Sequence, residues 1–348
     1  NHFYFQTAFH QYTKRQHNLS PPSQRRKILI HSYPINILME TSLLLAEKIA
    51  QLTLIVLMGI ALVKFKLLKP ADSYPLSVIT LYLISPAVMI HAFQVDYTPE
   101  ILDGLWLSVK LALLFNFSLI VLGKLLAKIF KLDILEQAAV IYTNAGNLII
   151  PVVLAVFGAE WLIYTAGYLI VQTVLFWTHL RVMFAGRSQM SVKKIFTNVN
   201  ILSIAVGLFM FAFQIKLPSV VDNALANVGS MIGPIAMMIA GMLIASLPLK
   251  EIIASKRIYL VTFLRLILMP LVLLIIIKLF GLAEQNSHNQ TVVLISFLAT
   301  ISSSAATVTQ MAVLYQKNAQ KASAIYGITT LLCVVSMPLM IALYQWVI

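Results

Sequence analysis

Two things are scarce in this chain: cysteine and charge. Cys333 is the only cysteine among 348 residues, so neither an intrachain disulfide nor a cysteine-rich metal site can form. Charged residues make up 11% of the chain, against about a quarter in a soluble domain. Hydrophobic residues make up 60% and the mean hydropathy is +0.89. An ordinary soluble domain is excluded, and the chain reads as an all-α polytopic membrane protein. Catalytic signatures are missing as well. The sequence has no HExxH, no phosphate-binding loop and no His/Asp cluster, so no enzyme, cofactor or metal is expected. Nor does any pair of carboxylates lie inside an apolar stretch, since Glu47 and Glu136 fall near span ends. That counts against a proton antiporter or a tight sodium site.

What the chain has in abundance is long apolar runs. Ten reach membrane-spanning length, at approximately 43–63, 75–95, 104–126, 136–157, 160–181, 196–214, 223–246, 258–280, 291–315 and 322–347. The net charge of +13 would suggest nucleic acid in a soluble protein. Here the basic residues concentrate in alternate short loops, so topology explains the charge and no nucleic acid is implied. Lys64, Lys66 and Lys69 lie in one such loop, Lys124, Lys128 and Lys131 in the next, then Arg181, Arg187, Lys193 and Lys194. Lys250, Lys256 and Arg257 follow, then Lys317 and Lys321. The intervening loops hold Asp96, Glu100 and Asp103, then Glu160, Lys216 with Asp222, and Glu284. The basic loops are expected in the cytoplasm. Ten spans then leave both termini outside a cell membrane crossed many times.

Residues 1–38 do not fit that scheme. They carry Lys14, Arg15, Arg25, Arg26 and Lys27 with no acid, and they contain neither a methionine nor an apolar signal core. Met39 opens METSLLLAEKIAQL and leads straight into the first span. Met39 is read as the native start, with a disordered basic tail as the alternative. Mass spectrometry of the natively expressed protein is expected to find no peptide from 1–38; finding one overturns the assignment.

The remainder is internally repeated. Gly59 and Gly207, Pro70 and Pro218, and Pro86 and Pro234 are each separated by 148 residues. FKLLKP at 65–70 corresponds to FQIKLP at 213–218, and ISPAVM at 84–89 to IGPIAM at 232–237. Spans one to five, within 39–190, therefore match spans six to ten, within 191–348. Five is odd, so the second copy runs through the membrane in the opposite sense, as in many secondary carriers. Later the offset grows to 158, which aligns Asn144 with Ser302 and Asn147 with Ala305.

That alignment superposes two polar interruptions, TNAGNLIIP at 143–151 and ATISSSAATVTQ at 299–310. A break in a membrane helix leaves backbone groups unpaired, and is tolerated only where it is buried in protein or lines a polar cavity. Two breaks in matching positions point to a binding site. Asn144 and Asn147 share a helical face, and their neutral amides can both donate and accept. Pro151 frees the carbonyl of Asn147. Ser302, Ser303, Ser304, Thr307 and Gln310 supply hydroxyls and an amide, and the half-helix N-termini offer positive ends to an anion. Helix–helix hydrogen bonding is the alternative use for these groups.

Arg265 is read as the one ionised side chain well inside a span. Three roles suit it: holding an anionic substrate, bonding the carbonyl end of a broken helix, or snorkelling to the interface. Pro86 and Pro234 are expected to kink their spans. His91, His179 and the four tryptophans, Trp106, Trp161, Trp177 and Trp346, are expected near the interfaces. Gln172 suits either a cavity wall or a helix contact, and Gly229 with Gly233 matches a small-residue packing pattern.

NAGNLIIPVVLAVFG at 144–158, YLIVQTVLFWT at 168–178 and the long stretch from SSSAATVTQMAVLYQKN at 302–318 to MPLMIAL at 337–343 resemble the auxin efflux carrier family, particularly its bacterial permeases. The resemblance covers roughly 43–348. It implies ten helices in two inverted five-helix repeats, with helices four and nine broken and crossing. Asn144, Asn147 and Pro151 would form the first crossover and 303–307 the second. It also implies transport of small organic anions, such as dicarboxylates or, in plants, indole-acetate. The chain departs from the family in two places: Ser303 and Ser304 stand where a proline is usual, and Ile149-Ile150 stands where a glycine often precedes the first proline. The expected function is a secondary transporter of a small organic anion, with the lipid bilayer as its surroundings and a homodimer compatible with the reading. The alternatives are a sodium- or proton-coupled symporter of the same fold and a membrane sensor that does not transport.

Overall fold

The computed structural model describes residues 50–51, 53–186, 196–246, 255–283 and 286–348. The side chains of Asn147, Ala155 and Val313 lie outside the description, as do residues 1–38, Met39, Glu47, Arg187, Lys193, Lys194, Lys250 and Glu284. Among the described residues the fold is all-helical, with no sheet beyond one isolated bridge. Six helices are long and apolar enough to cross a membrane. They are α2 (Pro70–Ala92), α3 (Pro99–Phe130), α6 (Ala159–Ala185), α8 (Ser219–Ala245), α9 (Lys256–Leu279) and α12 (Ala319–Val347). Two shorter apolar helices are α1 (Thr53–Lys64) and α7 (Val199–Ala212). Four further helices are described: α4 (Ile134–Ile141), α5 (Ala145–Val156), α10 (Ser287–Ile301) and α11 (Ala306–Leu314).

Local chemistry sets these boundaries. Thr98 caps α3 by accepting from the Ile101 N–H at 3.2 Å, and Pro99 occupies the first turn, where a missing N–H does no harm. Lys131 ends the helix in the left-handed conformation (φ 51°). Asp133 and Glu136 then form a capping box that starts α4. At 32 residues, α3 is about 48 Å long, longer than the roughly 30 Å hydrocarbon core. Lys110 lies well inside it on an exposed face, so Arg265 is not alone among deeply placed cations. The long lysine stem lets its amine reach along the helix toward water.

The expected kinks take a specific form. π-turns occupy Thr80–Ile84 in α2 and Leu264–Leu268 in α9, each ending two residues before a proline, Pro86 and Pro270. A proline ring crowds the preceding turn, and a widened turn relieves it. In α8 the interruption is a turn at Met231, with Pro234 in the first turn of the following segment. A third π-turn, Phe176–Leu180, lies in α6.

The helices pack as two groups. α2 packs chiefly on α7 and α8, while α3 packs on α6, α10 and α4, and α12 packs on α11, α9 and α4. α1 joins the first group through glycine. A Cβ on Gly59 would strike the Met238 carbonyl oxygen, and one on Gly241 would strike that of Val56, so α1 and α8 touch backbone to backbone. The small-residue pattern expected at Gly229 and Gly233 is less central: Gly229 meets only the Val88 side chain and backbone. Contact between the groups runs mainly from α8 to α5 and α12.

Charge gathers at both ends of α3. At its C-terminal end the Glu136 carboxylate is fully buried and paired with Arg257 and with Lys321, the latter at 2.8 Å. Lys321 also reaches Asp133 at 2.5 Å, and Arg257 donates to the carbonyls of Phe130 and Lys131. Three of the basic loops therefore meet on one acidic pair. At the other end Glu100 of the first turn faces His288 at 3.7 Å, and Lys216 pairs with Asp96, just ahead of α3, at 3.0 Å; His91 at the end of α2 meets Asp222 of α8 at 2.7 Å.

Candidate functional site

α4 stops at Ile141 and α5 starts at Ala145; α10 stops at Ile301 and α11 starts at Ala306. The short extended segments between them lie antiparallel, with Thr143 bridged to Ser304. The Asn144 N–H donates to the Ser303 carbonyl at 2.8 Å, and the Ala305 N–H donates to the Tyr142 carbonyl at 3.0 Å. Each break thus satisfies the backbone groups that the other exposes, which is what burial in an apolar medium demands.

Neighbouring helices complete the pairing. From α6, the buried Gln172 amide donates to the Thr143 carbonyl at 2.8 Å and to its hydroxyl at 2.7 Å. From α12, the Thr329 hydroxyl accepts from the Ser304 N–H at 3.2 Å, and the Thr330 hydroxyl donates to Ser303 Oγ at 3.1 Å. The Tyr142 hydroxyl meets His179 Nδ1 at 2.7 Å.

Arg265 has the central position. Its side chain is 0% exposed. The guanidinium donates to the Ser302 carbonyl at 2.9 and 3.0 Å, to the Val140 carbonyl at 3.2 Å and to the Thr300 carbonyl. Val140 belongs to the last turn of α4, Thr300 to the last turn of α10, and Ser302 is the C-cap of α10. Of the three roles open to Arg265, these hydrogen bonds are those of a cap on the carbonyl ends of broken helices. No carboxylate pairs with Arg265 among the described residues. Two helix C-termini carry about half a negative charge each, so together they offset about one guanidinium.

A cavity of about 600 Å³ adjoins the crossing. Thr143, Asn144 and Gly146 line it from the first break, and Ala305, Ala306, Thr307 and Gln310 from the second. Both half-helix N-termini, of α5 and α11, therefore border it. The facing wall comes from Ser73, Ser77 and Ser85 of α2, from Asn198 and Asn200 at the start of α7, and from Ile232, Ile239 and Leu243 of α8. No charged side chain is among the described residues that line it.

The expected site residues divide accordingly. Asn144, Thr307 and Gln310 line the cavity. Ser302, Ser303 and Ser304 are buried in the crossing and border the protein rather than the cavity. Pro151 lies midway along α5, which remains helical through it, so the break falls at 142–144 instead. Asn147 is in the first turn of α5, with its side chain outside the description. Gln172 serves both as helix contact and as cavity wall. Trp177, expected at an interface, lines the cavity from the π-turn of α6; an extra residue in a turn rotates the side chains beyond it. Ser85 and Asn200 on the facing wall escaped the sequence reading, because isolated polar residues in an apolar run resemble helix contacts.

Six apolar helices of membrane-spanning length, with two pairs of shorter helices whose connecting segments meet beside a polar cavity, fit a membrane transporter. The chain matches the membrane transport protein family over residues 44–194 and 187–341. It belongs to that family, the auxin efflux carriers. No curated protein matches the chain.

Replacing Arg265 exposes the role assigned to it. Arg265→Met leaves buried carbonyls unpaired at about 1–3 kcal/mol each, so a lowered melting temperature and loss of transport are expected. Arg265→Lys should recover only part of the stability, because one ammonium cannot fork across two helix ends. Thermal unfolding of the purified variants measures this, and an unchanged melting temperature for Arg265→Met contradicts it.

Proposed function

We propose that the chain is a secondary transporter that moves a small organic anion, a mono- or dicarboxylate, across the cell membrane by alternating access at the crossing. The observation that carries this reading is that two helix N-termini meet at one uncharged polar cavity. A carboxylate there gains two positive dipole ends and the hydrogen-bond donors of Asn144, Thr307 and Gln310.

The reading takes α4 with α5 and α10 with α11 as two broken spans, which with the other eight helices makes ten in two inverted five-helix repeats. Packing supports the repeat. Gly59, in the first span, makes room for α8, and Gly207, its counterpart in the sixth, makes room for Phe93 just beyond α2. The first span thus meets the seventh as the sixth meets the second. The cavity lies between the two helix groups, α1, α2, α7 and α8 on one side and the remainder on the other. Relative movement of the groups would carry the crossing from one side to the other, as an elevator or by rocking.

With the basic loops in the cytoplasm and the termini outside, the cavity faces inward. Ser73, Asn198, Ser246 and Ser323, which line it, all stand beside basic loops. Bacterial organic-acid permeases are the branch this suits best. With the inside negative, an exported anion gains about 2.3 kcal/mol per charge per 100 mV, so export needs no coupled ion.

Proteoliposome flux of radiolabelled organic acids tests the reading. Asn144→Ala is expected to abolish flux while the protein still folds, and an inside-negative potential should accelerate export in the wild type. Wild-type flux through Asn144→Ala contradicts the site. Flux that falls when a sodium or proton gradient is collapsed favours a symporter, and binding without any flux favours a sensor.

A further inference from the structure

The wall opposite the crossing has a built polar feature. The nearly buried Ser85 hydroxyl of α2 donates to Asn200 Oδ1 of α7 at 2.8 Å. That bond fixes the plane of the Asn200 amide and leaves its two Nδ2 protons, which have no acceptor among the described residues. Both side chains line the cavity that Asn144 and Thr307 line from the other side.

The electrostatics of the two walls differ. At the crossing, two helix N-termini contribute about half a positive charge each, close to what one carboxylate requires. Their negative counterparts, the carbonyl ends of α4 and α10, are already taken by Arg265. The far wall offers at most one such terminus and, among its described residues, no cation. The N-terminus of α7 opens there, but its N–H groups at Asn200 and Ile201 are bonded to Asn198 Oδ1 at 3.0 and 3.2 Å. No lysine, arginine or histidine is among the described lining residues. A second carboxylate on that wall would leave water without a cation to meet it, a cost neutral amides do not offset. An uncharged acceptor meets no such penalty.

Resting on the transporter reading above, we propose that the substrate is a monocarboxylate with an uncharged hydroxyl or carbonyl at its far end, and that Asn200, oriented by Ser85, is the specificity residue that donates to it. The carboxylate occupies the crossing, and the Asn200 amide binds the far oxygen. The site selects against dicarboxylates by lacking a second positive group, and against plain fatty acids by leaving the Asn200 amide unpaired.

Competition in proteoliposome exchange with butyrate, 4-hydroxybutyrate, 4-oxobutyrate, malonate and succinate tests this. In the wild type, 4-hydroxybutyrate and 4-oxobutyrate should compete at least about tenfold better than butyrate, malonate or succinate, the worth of one good hydrogen bond or one unmet charge. Asn200→Leu should erase the advantage of 4-hydroxybutyrate over butyrate, and Ser85→Ala should reduce it. Asn200→Lys, which adds the missing cation, should raise malonate and succinate relative to 4-hydroxybutyrate by a similar factor. Melting temperatures identify a variant that fails to fold, and the wild-type ranking stands independently of the variants. Preference of the wild type for malonate or succinate overturns the proposal while leaving the transporter reading in place. An unchanged 4-hydroxybutyrate-to-butyrate ratio in folded Asn200→Leu does the same. Movement of none of the five acids removes the transporter reading and the proposal with it.

Discussion

Backbone hydrogen bonding in an apolar medium is the constraint on which this structure depends. Two helices are interrupted where no water is expected, and each interruption exposes N–H and C=O groups that cost several kcal/mol apiece if left unpaired. The two breaks pair with each other through Asn144 to Ser303 and Ala305 to Tyr142. Gln172 and Thr329 take further groups, and Arg265 takes the carbonyl ends. Removing either break would orphan the other, so the crossing is a unit rather than two adjacent defects.

The same arrangement divides the helix dipoles. The C-terminal ends of α4 and α10 converge on one buried guanidinium, which neutralises them. The N-terminal ends of α5 and α11 border the cavity, and no acidic side chain is among its described lining residues. A positive potential is thus created at the cavity without any charged side chain in its described lining. Peptide dipoles held in a helix are rigid and need no ion-pair partner, which would suit the proposed binding and release of an anion. A lysine or arginine in the same place would hold the anion more tightly and slow its departure.

The sequence made the crossing legible because amides, hydroxyls, glycine and proline are conspicuous in apolar runs. The two runs also meet in space, bridged at Thr143 and Ser304. The detail was less legible. Pro151 looked like part of the break, yet α5 stays helical through it, because a freed carbonyl inside a protein bundle is tolerable. Arg265 had three physically sound roles, and only the positions of Val140, Thr300 and Ser302 distinguish among them. Lys110 stands in an almost wholly apolar stretch, whose weak periodicity does not mark which face of α3 is exposed. Ser85, Asn200 and Trp177 come from separate helices, and their meeting on one cavity is a property of tertiary packing.

The central claim is that the cavity at the crossing is where the transported anion binds, reached from the side of the basic loops. Thiol accessibility tests it most directly, since the chain's only cysteine, Cys333, is buried and gives little background. In Thr307→Cys, a membrane-impermeant thiol reagent applied to inside-out vesicles is expected to label the new cysteine, and a saturating transported organic anion is expected to slow that labelling. Labelling that is confined to the outer face, or that proceeds at the same rate with every anion the protein carries, would contradict the claim.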